Sequence, residues 1–208
     1  MGALPQTHRE VLVPFRAPEH ELGEAEQVRT TLLVSSLQSL RKRGLVDAYL
    51  SRLPREHHET VLAMIAGQWV PMPLALAHYG ACEALDLPAP EVNAIGREVG
   101  DRIEGTFLAT MVRMAGKVGA TPWTALTQTQ RLYDRIFAHG GGASIVKLGP
   151  KDARVVFAGV PLARVPYFRI ATLGVLEIGA ELFCSKAYAH LVKEECTPTR
   201  VMVHIAWA

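Results

Sequence analysis

The residues most able to do chemistry sit in Pro166-Tyr167-Phe168-Arg169, which places two aromatic rings and a guanidinium behind a proline in what reads as a first helical turn. An arginine at a helix N-terminus opposes the helix dipole, so it calls for an anionic partner. The simpler partner is internal, Glu104 or Asp101. The functional alternative is a bound anion, with Tyr167, Phe168 and Arg169 joined by Trp123, Tyr133 and Arg97 as the wall of a ligand site. Other clusters point to less. His139-Gly140-Gly141-Gly142 looks like an oxyanion-hole motif, but no G-x-S-x-G nucleophile elbow accompanies it, and glycine after a helix is ordinarily a left-handed cap. His57-His58-Glu59 starts like a zinc helix, yet Leu62 stands where H-E-x-x-H needs its second histidine. There is no Walker loop and no G-x-G-x-x-G. The chain is therefore expected not to be an enzyme.

Cys82, Cys184 and Cys196 are odd in number and widely spaced, without a C-x-x-C pair or a zinc-finger spacing, as suits a reducing compartment. His78 lies in an apolar helical stretch, and His190 and His204 lie in strand-like runs; such solitary histidines usually serve as hydrogen-bonded structural residues. No metal and no cofactor is expected. Were heme bound, His78 beside Tyr79 would be the axial candidate.

Twenty-two basic against 20 acidic residues leave a formal net charge of +2, too small a surplus for a phosphate-tracking surface. The basic run Arg41-Lys42-Arg43 closes a helix, where cations complement the dipole, so no nucleic-acid partner is expected. No stretch of 18 apolar residues and no signal peptide is legible, which excludes a membrane span and leads to a cytoplasmic expectation.

These residues are positioned by an α+β order. Residues 1–23, interrupted by Pro5, Pro14 and Pro18, read as an extended or flexible arm. One domain follows over 24–208, helical over 24–88 and α/β over 89–208. Apolar periodicity predicts helices over 24–43, 45–53, 56–69, 74–85, 91–117, 123–138 and 167–183. Short extended runs over 143–148, 153–158, 186–194 and 200–207 predict two hairpins in one four-stranded antiparallel sheet.

The stretches Ile95-Gly96-Arg97-Glu98-Val99-Gly100 and Glu104-Gly105-Thr106-Phe107-Leu108 resemble the long-helix segment of a paralogous myxobacterial family of unknown function. Lys147 to Ala153, Pro166 to Arg169 and the closing Ile205-Ala206-Trp207 are similar to the same family's tail. More distantly, the helix–hairpin–helix–hairpin order resembles heme-nitric-oxide-binding and vinyl-reductase-like sensor domains, and a related fold that builds vesicle-tethering subunits. The tyrosine–serine–arginine signature of the heme sensors, Y-x-S-x-R, is absent here.

Together these readings give a non-catalytic, sensor-like ligand-binding or regulatory domain in bacterial signalling. Its small-molecule pocket would lie between the 91–117 helix and the sheet. One alternative is a homodimeric or protein-interaction module built on the apolar 167–183 helix. Another is a heme-binding sensor.

Overall fold

In the computed structural model, which describes residues 10–115 and 121–208, the period-2 runs of the C-terminal half pair as antiparallel strands of an α+β fold. Strands β5 (Gly142–Gly149) and β6 (Asp152–Ala158) form one hairpin, β7 (Ala187–Leu191) and β8 (Arg200–Trp207) the other. The sheet order is β1-β5-β6-β8-β7. Ile145, Val155 and Val203 stand across from one another and are fully buried, whereas His190 and His204 pair on the outer face.

The fifth strand comes from the arm. Residues Glu10–Val13 (β1) pair with β5, and Ser144 donates its hydroxyl to the Val13 carbonyl at 2.9 Å. This part of the arm completes a sheet rather than hanging free. Residues 1–9 lie outside the described residues.

The helices are α1 (Thr30–Lys42), α2 (Val46–Arg52), α3 (His58–Leu62), α4 (Met72–Glu83), α5 (Ala89–Ala115), α6 (Pro122–Leu126), α7 (Thr129–Ile136) and α8 (Pro166–Glu181), of which α7 and α8 pack on the five-stranded sheet. Three expected helices are shorter than their apolar periodicity suggests. Residues Gln27–Arg29 leave α1 to become β2, the centre of a small sheet with β3 (Trp69–Pro71) and β4 (Phe137–Ala138). Burying Val28 completely and pairing it on both sides outweighs one more helical turn. Helix α3 stops at Leu62, well before β3 begins at Trp69, and the single helix expected over 123–138 is two, α6 and α7, with α7 ending at Ile136 where β4 begins. The glycines after His139 therefore do not cap a helix. They form the turn from β4 into β5, with His139 and Gly141 at positive φ (66° and 69°), and Gly141 donates its N–H to the Gly23 carbonyl at 2.7 Å.

Helix α8 packs against the sheet, and α5 packs on α8. Glycine makes that crossing close. A Cβ at Gly96 would collide with the Ala171 carbonyl, and one at Gly174 with the Asn93 carbonyl. The two backbones touch with no side chain between them.

Candidate functional site

The tight crossing of α5 and α8 opens toward α7 into a cavity of about 90 Å³. Its walls are Ile95, Val99 and Ile103 from α5, Leu132, Tyr133 and Ile136 from α7, and Tyr167, Phe168, Ala171 and Val175 from α8, closed by Leu32 and Ser36 of α1 and by Tyr79 of α4. The sheet contributes Phe157. The cavity thus touches both the long helix and the sheet, with α7 and α8 as its side walls.

The wall is almost entirely hydrocarbon, so each polar atom in it counts. Tyr133 donates its hydroxyl to the Gly140 carbonyl at 3.1 Å, and Thr172 to the Phe168 carbonyl at 2.8 Å. Tyr167 is different. The residue is 3% exposed, and its hydroxyl has no hydrogen-bond partner among the described residues. Burial drives its pKa well above the ordinary tyrosine value, so it stays a neutral O–H. Ser36 and Cys82 are its polar neighbours, near enough to affect its titration without reaching hydrogen-bond geometry.

Behind Ser36 runs a buried relay. The Tyr49 hydroxyl meets His78 Nδ1 at 2.7 Å, and His78 Nε2 meets Ser36 Oγ at 3.1 Å. Burial pushes His78 down to about 3, so the ring is neutral and has one N–H. Among the described residues the Tyr49 hydroxyl has no other hydrogen-bond acceptor, so it donates to Nδ1, and the proton on Nε2 points to Ser36. Ser36, which lines the cavity, keeps its own hydrogen to donate. Cys82, with Sγ 3.7 Å from Nε2, is pushed up by burial to about 12 and remains a thiol.

Tyr167 is placed by the start of α8. Pro166 occupies the first helical position, and the Glu83 carboxylate accepts the Tyr167 N–H, putting a negative charge at the positive end of the dipole. The opposing effect of Arg169 on that dipole is met there.

The candidate residues of the sequence separate into two groups. Tyr167, Phe168 and Tyr133 line the cavity. Arg169, Trp123 and Arg97 do not. The Arg169 guanidinium donates to the Ala163 carbonyl and, at 2.9 Å, to the Thr197 carbonyl, so its partners are neutral oxygens and not Asp101. The side chain of Glu104, the other acid expected, lies outside the described residues. Trp123 donates its indole N–H to the Pro150 carbonyl at 3.1 Å and stacks edge-on with Trp207, clamping the β5–β6 turn. Arg97 bridges to Glu177 at 3.3 Å and to Glu181, joining α5 to α8. Sequence reasoning missed Ser36 and the glycine crossing. Gly96 and Gly100, four residues apart on one helix face, were the legible sign of a close helix approach.

No protein-family model and no curated protein matches the chain. Solved structures do. An Fe(II) unliganded H-NOX protein from K. algicida aligns at TM-score 0.59 and 12% identity over 86% of this chain and 96% of that one, and a mutant of it at 0.61 and 13% over the same shares. An oxygen-binding H-NOX domain related to soluble guanylate cyclases aligns at 0.53 and 11%, over 85% and 93%. A heme protein with a protein-distorted porphyrin aligns at 0.55 and 12%, again over 85% and 93%. The likeness is one of fold.

Heme, which belongs to such neighbours, does not fit the residues present here. The cavity is well below the ~300–1000 Å³ of ordinary small-molecule sites, the range a tetrapyrrole needs. Widening it means parting α5 from α8 at glycines in backbone contact. No described histidine or cysteine lines it. His78, the axial candidate, has both ring nitrogens engaged in the relay. Among the described residues, no group of three or more His, Cys, Asp and Glu is arranged to hold a metal, and no helix is long and apolar enough to cross a membrane.

Proposed function

We propose that this chain is a non-catalytic, sensor-type domain that binds a small, largely apolar molecule without heme. The observation that carries the reading is the unpartnered hydroxyl of Tyr167 in an otherwise hydrocarbon wall. A buried hydroxyl without a partner costs about 1–3 kcal/mol. A ligand with one hydrogen-bonding group removes that cost while its apolar part fills the cavity. Ser36 adds a second hydroxyl in the same wall, with the His78 relay fixing its acceptor side. Binding to the folded chain alone then raises its stability, and the occupied domain acts in bacterial signalling in a cytoplasmic setting.

A homodimer is the alternative, motivated by the apolar surface of α8. Within one chain α5 covers one side of that helix and the sheet the other, so the helix does not call for a second copy. The test is thermal melting with 1-butanol against 1-chlorobutane, which have the same chain with and without a hydroxyl. The reading expects both to raise Tm and butanol to bind about 2- to 10-fold tighter, the worth of one net hydrogen bond. Absence of any shift with either compound would overturn it.

A further inference from the structure

Next to the apolar cavity lies a second, polar one of about 280 Å³, lined by Arg29, Thr31, Gly67 and Arg135. The two share Ile103, Leu132 and Ile136, which form a common partition of three side chains. Neither volume alone reaches the ~300–1000 Å³ of small-molecule sites, and together they do.

Arg29 gives the polar chamber its chemistry. Its Nε donates to the Arg135 carbonyl at 3.2 Å and its Nη1 to the Gly67 carbonyl at 2.8 Å, while the guanidinium lies 4.4 Å from the Trp69 ring centre. These contacts hold the group in place but do not neutralise it. Among the described residues no carboxylate forms an ion pair with Arg29. Two of five N–H donors are used, and three remain. A held, half-buried guanidinium with spare donors is suited to a planar or tetrahedral oxyanion.

We infer that the ligand is a single-chain amphiphile with an anionic head, its oxyanion against Arg29, its hydrocarbon chain passing the Ile103–Leu132–Ile136 partition into the apolar cavity, and a hydrogen-bonding group farther along the chain meeting the Tyr167 hydroxyl. This rests on the reading of that cavity as a binding site. It adds the charge and the length of the ligand. A carboxylate and a phosphate head share the chemistry that Arg29 recognises.

The experiment is calorimetric titration of the full chain with octanoate, octyl phosphate, octanol and octylamine. Octanoate or octyl phosphate should bind roughly ten- to a hundredfold tighter than octanol, the worth of a charge-assisted hydrogen bond, and octylamine should bind most weakly. The tighter of the two anions names the head group. Arg29→Gln should remove the preference for the anion and leave octanol unchanged, with circular dichroism confirming its fold. The comparison of head groups on the unaltered protein needs no variant. Leu132→Trp, which fills the partition, should abolish binding of all eight-carbon chains. Octanol binding as tightly as the anions overturns this inference and leaves the cavity reading standing, as does butanol binding with no eight-carbon compound bound. If butanol fails as well, the cavity reading itself falls.

Discussion

Gly96 of α5 lies so close to Ala171 of α8 that a Cβ at Gly96 would overlap the Ala171 carbonyl. This contact sets the floor of the cavity and fixes how closely the two helices approach. Alanine in mid-helix ordinarily gains up to about 1 kcal/mol over glycine. Here Gly96→Ala should instead destabilise the chain by about 1–3 kcal/mol, because the obstacle is backbone and cannot rotate away. Chemical denaturation checks the sign: a stabilised Gly96→Ala protein would show that the helices are farther apart.

Acid stability carries the signature of three groups. His78 is pushed down to about 3 by burial, so its folded pKa lies below the ordinary 6.5. The unfolded chain therefore takes up the proton first, and stability falls as pH drops from about 6.5 toward 3. Glu98 and Glu181 follow lower. Burial alone would raise them, but hydrogen bonds from Arg43 and Ser39, and from Arg97 and Lys186, bring each down to about 2 from 4.5. Their contributions are complete above pH 4.5 and are lost as pH falls toward 2. Denaturant titrations across pH 7 to 2 should show a decline that begins above pH 5 in the wild type. In a His78→Gln variant it should begin below pH 5.

Arg169 holds two carbonyls, at Ala163 and Thr197, and no acid. Arg169→Ala should cost about 1–2 kcal/mol, as for charge-assisted hydrogen bonds that water can partly replace. That is less than the ~3–5 kcal/mol of breaking a buried ion pair. The stabilisation by butanol should be unchanged, since the guanidinium is not in the cavity wall. A loss of the larger size would point to an acidic partner.

The sequence places Tyr167, Phe168 and Arg169 together, and the structure separates them. Adjacent helical residues are turned by about a quarter of a circle or more, so Tyr167, Phe168, Ala171 and Val175 share the cavity face while Arg169 points to the loops. Only the neighbouring elements decide which face is inward. The hairpins were legible because alternating apolar residues and the Gly149–Asp152 turn agree locally. Strands β2 and β4 were not, since two or three residues carry no period and their pairing partners are distant in the chain. Ser36 was hidden in a helix stripe, four residues after Leu32, where a serine has no local sign of facing inward.

Protein purified from heme-supplemented cells should show no Soret absorbance. His78→Ala should lower stability by about 1–3 kcal/mol or more, because it strands the buried Tyr49 hydroxyl, and should leave the visible spectrum flat. A stoichiometric Soret band removed by that substitution would contradict the heme-free reading.

The central claim is that the Tyr167 hydroxyl awaits a ligand, and Tyr167→Phe tests it most directly. Removing an unpartnered buried hydroxyl should stabilise the ligand-free chain by up to about 1–3 kcal/mol, the cost it now carries. The same change should erase the preference for 1-butanol over 1-chlorobutane while chlorobutane still binds. A Tyr167→Phe protein that is less stable than wild type, with its preference for butanol intact, would mean that the hydroxyl already has its partner inside the fold and that the cavity has no polar anchor.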